Sequence, residues 1–155
     1  AEVSEPAAVV IEQLRTLLGE RPEDLGDQLP FLPPINAAQV FYAQAAFVDG
    51  PNGQGLRYVT QYSQALLPIN NHALFDTYQG LTRDQAYYVS AILPVSATSL
   101  PDEATMPDDP ETFAAGHQAH AAAVTAELNE LAAADFTPSL EALDALVLSL
   151  EVGGS

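Results

Sequence analysis

Two histidines stand three positions apart, at His117 and His120, inside the alanine-rich stretch AAGHQAHAAA. An H-x-x-H pair on one helix turn can present two imidazoles to one transition metal, and Glu111 lies close by in sequence. The flanking residues offer a second reading. Phe113, His117, His120, Val124, Leu128 and Leu131 step by threes and fours, so both imidazoles fall on the apolar stripe of the same helix. That placement predicts two partly buried rings that pack on a sheet and bond to backbone. No third ligand is identifiable, and a metal held by His117 and His120 is the alternative.

Carboxylates are the commonest reactive groups in the chain. Asp102, Glu103, Asp108, Asp109 and Glu111 crowd one segment, and hard cations take several oxygens from such flexible loops. The spacing does not match the D-x-[DN]-x-[DN]-G pattern of a calcium loop. Asp109 directly precedes Pro110, which is the signature of a helix cap. Calcium at the 102–111 loop therefore stands beside a solvated loop as an open reading. Nucleophilic catalysis finds no support. There is no cysteine, no G-x-S-x-G and no H-E-x-x-H. Ser63, Ser90 and Ser96 with His72 are the loose pairs that any chain of this size supplies, and nothing selects two acids for glycosidase chemistry. The expectation is a protein without catalytic residues or cofactor.

The run DGPNGQG at 49–55 is rich in glycine, but a phosphate cradle would need a following helix and a lysine or helix dipole aimed at the anion. A β-favouring run follows instead, and the chain has no lysine. Tyrosines are the remaining candidates. On a strand Tyr58, Thr60 and Tyr62 share one face, with Tyr42 on the neighbouring strand. Such a patch can take a sugar, a peptide or a protein, or its rings can pack under helices. Partner binding at Tyr58 and Tyr62 is the expectation if their strand lies at an edge. Arg57 and Arg83, in a chain this acidic, are each expected to find a carboxylate and to pin the turns beside them.

Composition narrows the function classes. Across 155 residues the four arginines face 21 acids, for a formal net charge of −17. Such a field repels phosphate backbones, so nucleic acid is an unsuitable partner. Hydrophobic residues make up 48%, enough for a packed core and too many for a disordered acidic tail. Apolar runs are too short to span a bilayer, and disulfides and thiolate metal sites are excluded by the lack of cysteine. No signal-peptide pattern occurs, which fits a mature or trimmed form, and Gly153-Gly154-Ser155 reads as a flexible tail or linker scar.

The elements that must position these residues follow from periodicity. Residues 4–19 predict a helix with an apolar stripe of Val10, Ile11, Leu14, Leu17 and Leu18. Residues 20–35 predict a proline-rich connector packed on the domain, so that 1–35 forms an N-terminal helix and connector before a single domain at 36–152. Residues 38–48 and 56–64 predict a hairpin, 71–80 a short helix capped by Asn70 or Asn71 and closed by Gly80, and 85–95 a third strand. That strand is apolar throughout, and an interior position covered on both faces is expected. Residues 110–134 predict the longest helix and 137–150 the last. The fold class is α+β, an antiparallel sheet of three or more strands flanked by N- and C-terminal helices, in the manner of an α/β/α sandwich.

Five segments carry a resemblance: LPPINAAQVFYAQ (32–44), GLRYVTQYSQ (55–64), PINNHALFDTYQGLT (68–82), YYVSAILPV (87–95) and FTPSLEALDALVLSLEV (136–152). They resemble an uncharacterised group of bacterial secreted proteins and lipoproteins such as those of the green non-sulfur bacteria. The element order also resembles the PsbP/Mog type of α/β/α sandwich. Neither resemblance brings catalytic residues. The first implies a secreted or cell-surface location and a non-enzymatic role. The expected function is an accessory, structural or protein-binding module in an extracytoplasmic assembly. The alternative is a small-molecule or metal-binding protein using a cleft beside the His117/His120 helix.

Overall fold

The structure, a computed structural model, describes residues 5–26, 28–32, 37–64, 68–103 and 108–150. It is an α+β protein built around a four-stranded antiparallel sheet with strands in sequence order. Helix α1 (Glu5–Glu20) buries Leu14 and Leu18, two positions of the predicted stripe. It ends as Arg21 turns into the left-handed region, with φ of 44°. Strands β1 (Ala38–Gly50) and β2 (Gly53–Ser63) form the expected hairpin. It reaches further than predicted, because the glycine-rich loop is mostly ladder: Gly50 pairs with Gly53 and Val48 with Gly55.

The next two elements correct the sequence reading. Asn70 does cap a turn, accepting from the Ala73 N–H at 3.2 Å, but no helix follows. Residues from Phe75 to Thr82 form strand β3. Phe75, Thr77 and Tyr78 favour extended backbone, and Gly80 is a strand residue rather than a helix stop. The run YYVSAILPV is the edge strand β4 (Tyr88–Pro94), paired only with β3 among the described residues, and is not interior. Nor is it covered on both faces: Val89, Ala91 and Leu93 are half-buried, whereas Ser90, Ile92 and Pro94 on the alternate face are exposed.

Strand β5 (Ser96–Ala97) pairs with β6 (Phe136–Thr137) in a short second sheet. Helix α2 (Pro110–Glu130) starts as predicted, with Asp109 accepting from the N–H groups of Glu111 and Thr112 at 3.1 and 3.3 Å. Helix α3 (Leu140–Leu148) is capped by Ser139, whose hydroxyl accepts from Ala142 N–H at 3.2 Å.

Two cores result. On one face of the sheet Phe41, Ala43 and Val59 pack with Val124, Leu128, Leu140 and Leu143 from α2 and α3. On the other, Leu56, Tyr58 and Leu81 pack with Leu14 and Leu18 of α1 and with Leu29 and Phe31 of the connector. The connector docks through its backbone. Leu29 N–H donates to Gln39 Oε1 at 3.2 Å and Leu32 N–H to Gln79 Oε1 at 2.9 Å. A bulge in β1 holds α2: Gln44, with φ of 56°, donates from Nε2 to the carbonyls of Leu128 and Leu131 at 2.6 and 2.9 Å. The Leu128 carbonyl also accepts from the Leu131 N–H at 3.3 Å, so Gln44 reinforces the end of the helix.

Candidate functional site

The tyrosines expected to meet a partner lie elsewhere than at an edge. Strand β2 is central, Tyr58 is 0% exposed, and its hydroxyl donates to the Pro30 carbonyl at 2.9 Å. Tyr62 is half-buried and packs on Phe31 and Phe75, with ring centroids 4.9 and 6.2 Å apart. Burial pushes the phenols of both residues up, so neither ionises at physiological pH. The connector covers this face, which is why an alternating pattern of tyrosine and threonine occurs on a strand with no wet side.

Exposed large apolar residues at the sheet are found at β4 and just before it, others being Val9 on α1 and Leu146 and Leu150 at α3. Tyr87 is 53% and Ile92 45% exposed, and Ser90 and Pro94 are exposed between and beside them. The Ser90 hydroxyl donates to the Leu32 carbonyl at 2.5 Å and stands in no arrangement with a histidine. An unpaired strand edge presents a row of N–H and C=O groups that an extended chain can continue.

Beneath the sheet, on the α3 side, lies a charged cluster that the sequence reading missed. Arg57 of β2 donates to Asp144 of α3 at 3.1 Å. Asp76 of β3 stands opposite Val59, on the same face, and is 1% exposed. Its Oδ1 and the Arg57 Nε are buried without a hydrogen-bond partner among the described residues. Burial pushes the Asp76 carboxyl up to about 7; the Arg57 charge opposes this and the Asp144 charge adds to it. Asp144 is raised by burial as well, against Arg57 and with Glu141. A carboxylate that titrates near neutrality suits proton transfer, but Asp76 is sealed between sheet and helix. Its role in this state is electrostatic. The sequence reading puts Asp76 on a helix at 71–80, so nothing brings it beside Arg57.

The sign of its contribution follows. Below the ordinary carboxylate value of 3.8 Asp76 is protonated in both folded and unfolded chains. As pH rises from there towards 7 the unfolded chain ionises first, so stability is lost across that window, by up to about 4 kcal/mol. Asp76→Asn is expected to raise stability at pH 8 by about 2–4 kcal/mol and to flatten this slope. Urea unfolding of both proteins at pH 5 and pH 8 checks it, and an unchanged slope would count against it.

The histidines lie on the predicted stripe of α2. Phe113 packs against both, with ring centroids 5.8 Å from His117 and 5.7 Å from His120. His120 Nε2 accepts from the Ile69 backbone N–H at 3.2 Å, tying α2 to the turn before β3. His117 Nε2 is buried without a hydrogen-bond partner among the described residues. Among the described residues no three metal-ligating side chains come together. Burial, with the His117 charge adding, holds His120 below the ordinary 6.5. The neutral ring is therefore the folded form, and its bond to Ile69 is lost as pH falls below that value. His120→Leu is expected to cost about 1–3 kcal/mol at pH 7.5, because the Ile69 N–H loses its acceptor. Urea unfolding at pH 7.5 and pH 5.5 checks it: the native chain should lose stability between the two as the ring takes a proton, and the variant should lose less.

Of the acidic loop, residues 104–107 lie outside the described residues. Asp102 is engaged by Asn71, whose Nδ2 donates to Asp102 Oδ1 at 3.3 Å. The arginines pair largely as expected. Besides Arg57, Arg21 grips Asp49 with two nitrogens, at 2.9 and 2.5 Å, and sits 5.0 Å from the Phe47 ring. Arg83 forms no ion pair among the described residues; its backbone N–H donates to Asn52 O at 3.1 Å and joins the β3–β4 turn to the hairpin turn. No helix among the described residues is long and apolar enough to cross a membrane. No protein-family model matches the chain, and no curated protein or solved structure matches it significantly.

Proposed function

We propose that this chain is a non-catalytic protein-binding module of an extracytoplasmic assembly, secreted or held at the cell surface, which takes an extended basic segment along the free edge of β4. The observation that carries the reading is the edge itself, with Tyr87 and Ile92 exposed beside an unpaired ladder. The −17 charge supports a basic partner and opposes pairing of β4 with a second copy. The extracytoplasmic location rests on the resemblance of the central segments to secreted bacterial proteins. Ile92→Asp supplies the test against a peptide of alternating valine and lysine. The substitution adds negative charge, so simple attraction would grow, whereas strand addition predicts affinity falling by about tenfold. An affinity that rises instead contradicts the reading.

A further inference from the structure

At the end of the sheet marked by the β1–β2 turn, a cavity of about 230 Å³ opens between β3, β4 and the end of α3. The sequence makes room for it with glycine. Gly55 and Gly80 face each other across β2 and β3, and the phenol end of Tyr78 rests over the pair. A Cβ on Gly55 would stand 2.5 Å from the ring, and one on Gly80 would strike it. At Gly50 a Cβ would come 2.5 Å from Leu148 Cδ2. The phenol thus forms one wall, with Val89, Val147 and Leu148 around it, and Asn52 also lines the cavity. Asn52 Nδ2 is taken by the Leu150 carbonyl at 3.1 Å, which leaves its side-chain oxygen as an acceptor. Among the described residues no Asp, Glu or Arg lines this cavity, and burial together with the Asp49 charge pushes the Tyr78 phenol up, which keeps it neutral.

We infer that this cavity is a binding site for a small uncharged ring compound that packs on Tyr78 and donates one hydrogen bond to Asn52. The lining decides the class. A charged ligand would leave water for apolar walls without a partner. Size decides the extent: an apolar cavity of about 150 Å³ admits benzene, so about 230 Å³ has room for a substituted ring or a fused pair. The site lies by α3, away from the histidines of α2, and stands independently of the β4 edge.

Indole and toluene are the probes, followed through the methyl resonances of Val89, Val147 and Leu148. Both are expected to give saturable shifts at those methyls, with indole the tighter by about fivefold for its N–H donor. Indole-3-acetate should bind at least about tenfold more weakly than indole. Val147→Phe should fill the cavity and abolish the shifts of both. If that variant fails to fold, Asn52→Ala decides: the indole advantage over toluene should disappear while toluene binding stays. Shifts that are absent, scattered over the surface, or unchanged in the variant that folds would overturn the assignment.

Discussion

Replacing Tyr58 and Tyr62 together by serine is expected to unfold the domain. Tyr58 is fully buried on a central strand, its ring 6.3 Å from that of Tyr42. Tyr62 completes an aromatic cluster with Phe31 and Phe75 that seals the connector onto the sheet. Truncating a buried aromatic costs about 3–5 kcal/mol, and two such losses approach the whole stability of a domain, about 5–15 kcal/mol. Far-UV circular dichroism with urea titration should show no cooperative transition for the double variant. Tyr58→Phe keeps the ring and loses only the bond to Pro30, so it should remain folded and lose about 1–2 kcal/mol. A double variant with a native-like midpoint would show that this face is not core.

Arg57→Met is expected to produce the second large effect, and a pH-dependent one. The substitution keeps an unbranched chain in place but leaves Asp76 and Asp144 without their cation. Removing one partner of a buried pair costs about 3–5 kcal/mol, because the remaining charge stays in the interior. That is the expectation at pH 8. At pH 5 Asp76 holds its proton, since its carboxyl titrates at about 7, and the loss should shrink to roughly half. Adding Asp76→Asn to Arg57→Met should recover part of the stability at pH 8, so the two changes should not add. Equal losses at pH 5 and pH 8 would mean that Asp76 does not share a field with Arg57.

What could be read from the sequence were features with a local cause. Asp109-Pro110 announces the start of α2 because the cap bonds lie within three residues of one another. The stripes of α1 and α2 are periodic, and Leu14, Leu18, Val124 and Leu128 are buried as that period requires. The β1–β2 hairpin follows from two β-favouring runs about a tight turn. What stayed hidden has a non-local cause. In NHALFDTYQG an Asn cap and a closing Gly suit a helix and a turn-plus-strand equally. The choice falls to the strand because Gly80 pairs with Gly55 and makes room for the Tyr78 ring. With that segment misread, Asp76 could not be placed next to Arg57, although Arg57 itself was expected to need a carboxylate. The order of strands was also out of reach. The apolar run at β4 suggests cover on both faces, yet Ser90, Ile92 and Pro94 are exposed, because position within the sheet depends on which neighbours the turns deliver.

The reading of β4 as a docking edge rests on its outer N–H groups being open, and amide hydrogen exchange on this strand tests it most directly. The probe is the peptide of alternating valine and lysine, with a version of equal charge carrying proline at alternate positions as the control, since proline cannot complete a ladder. With the first peptide, exchange within Tyr88–Pro94 should slow by at least about tenfold, in an alternating pattern along the strand, while α2 and α3 stay unchanged. The proline peptide should leave β4 as it is. Equal protection by both peptides, or protection spread over the acidic helices with β4 unaffected, would contradict strand addition at this edge.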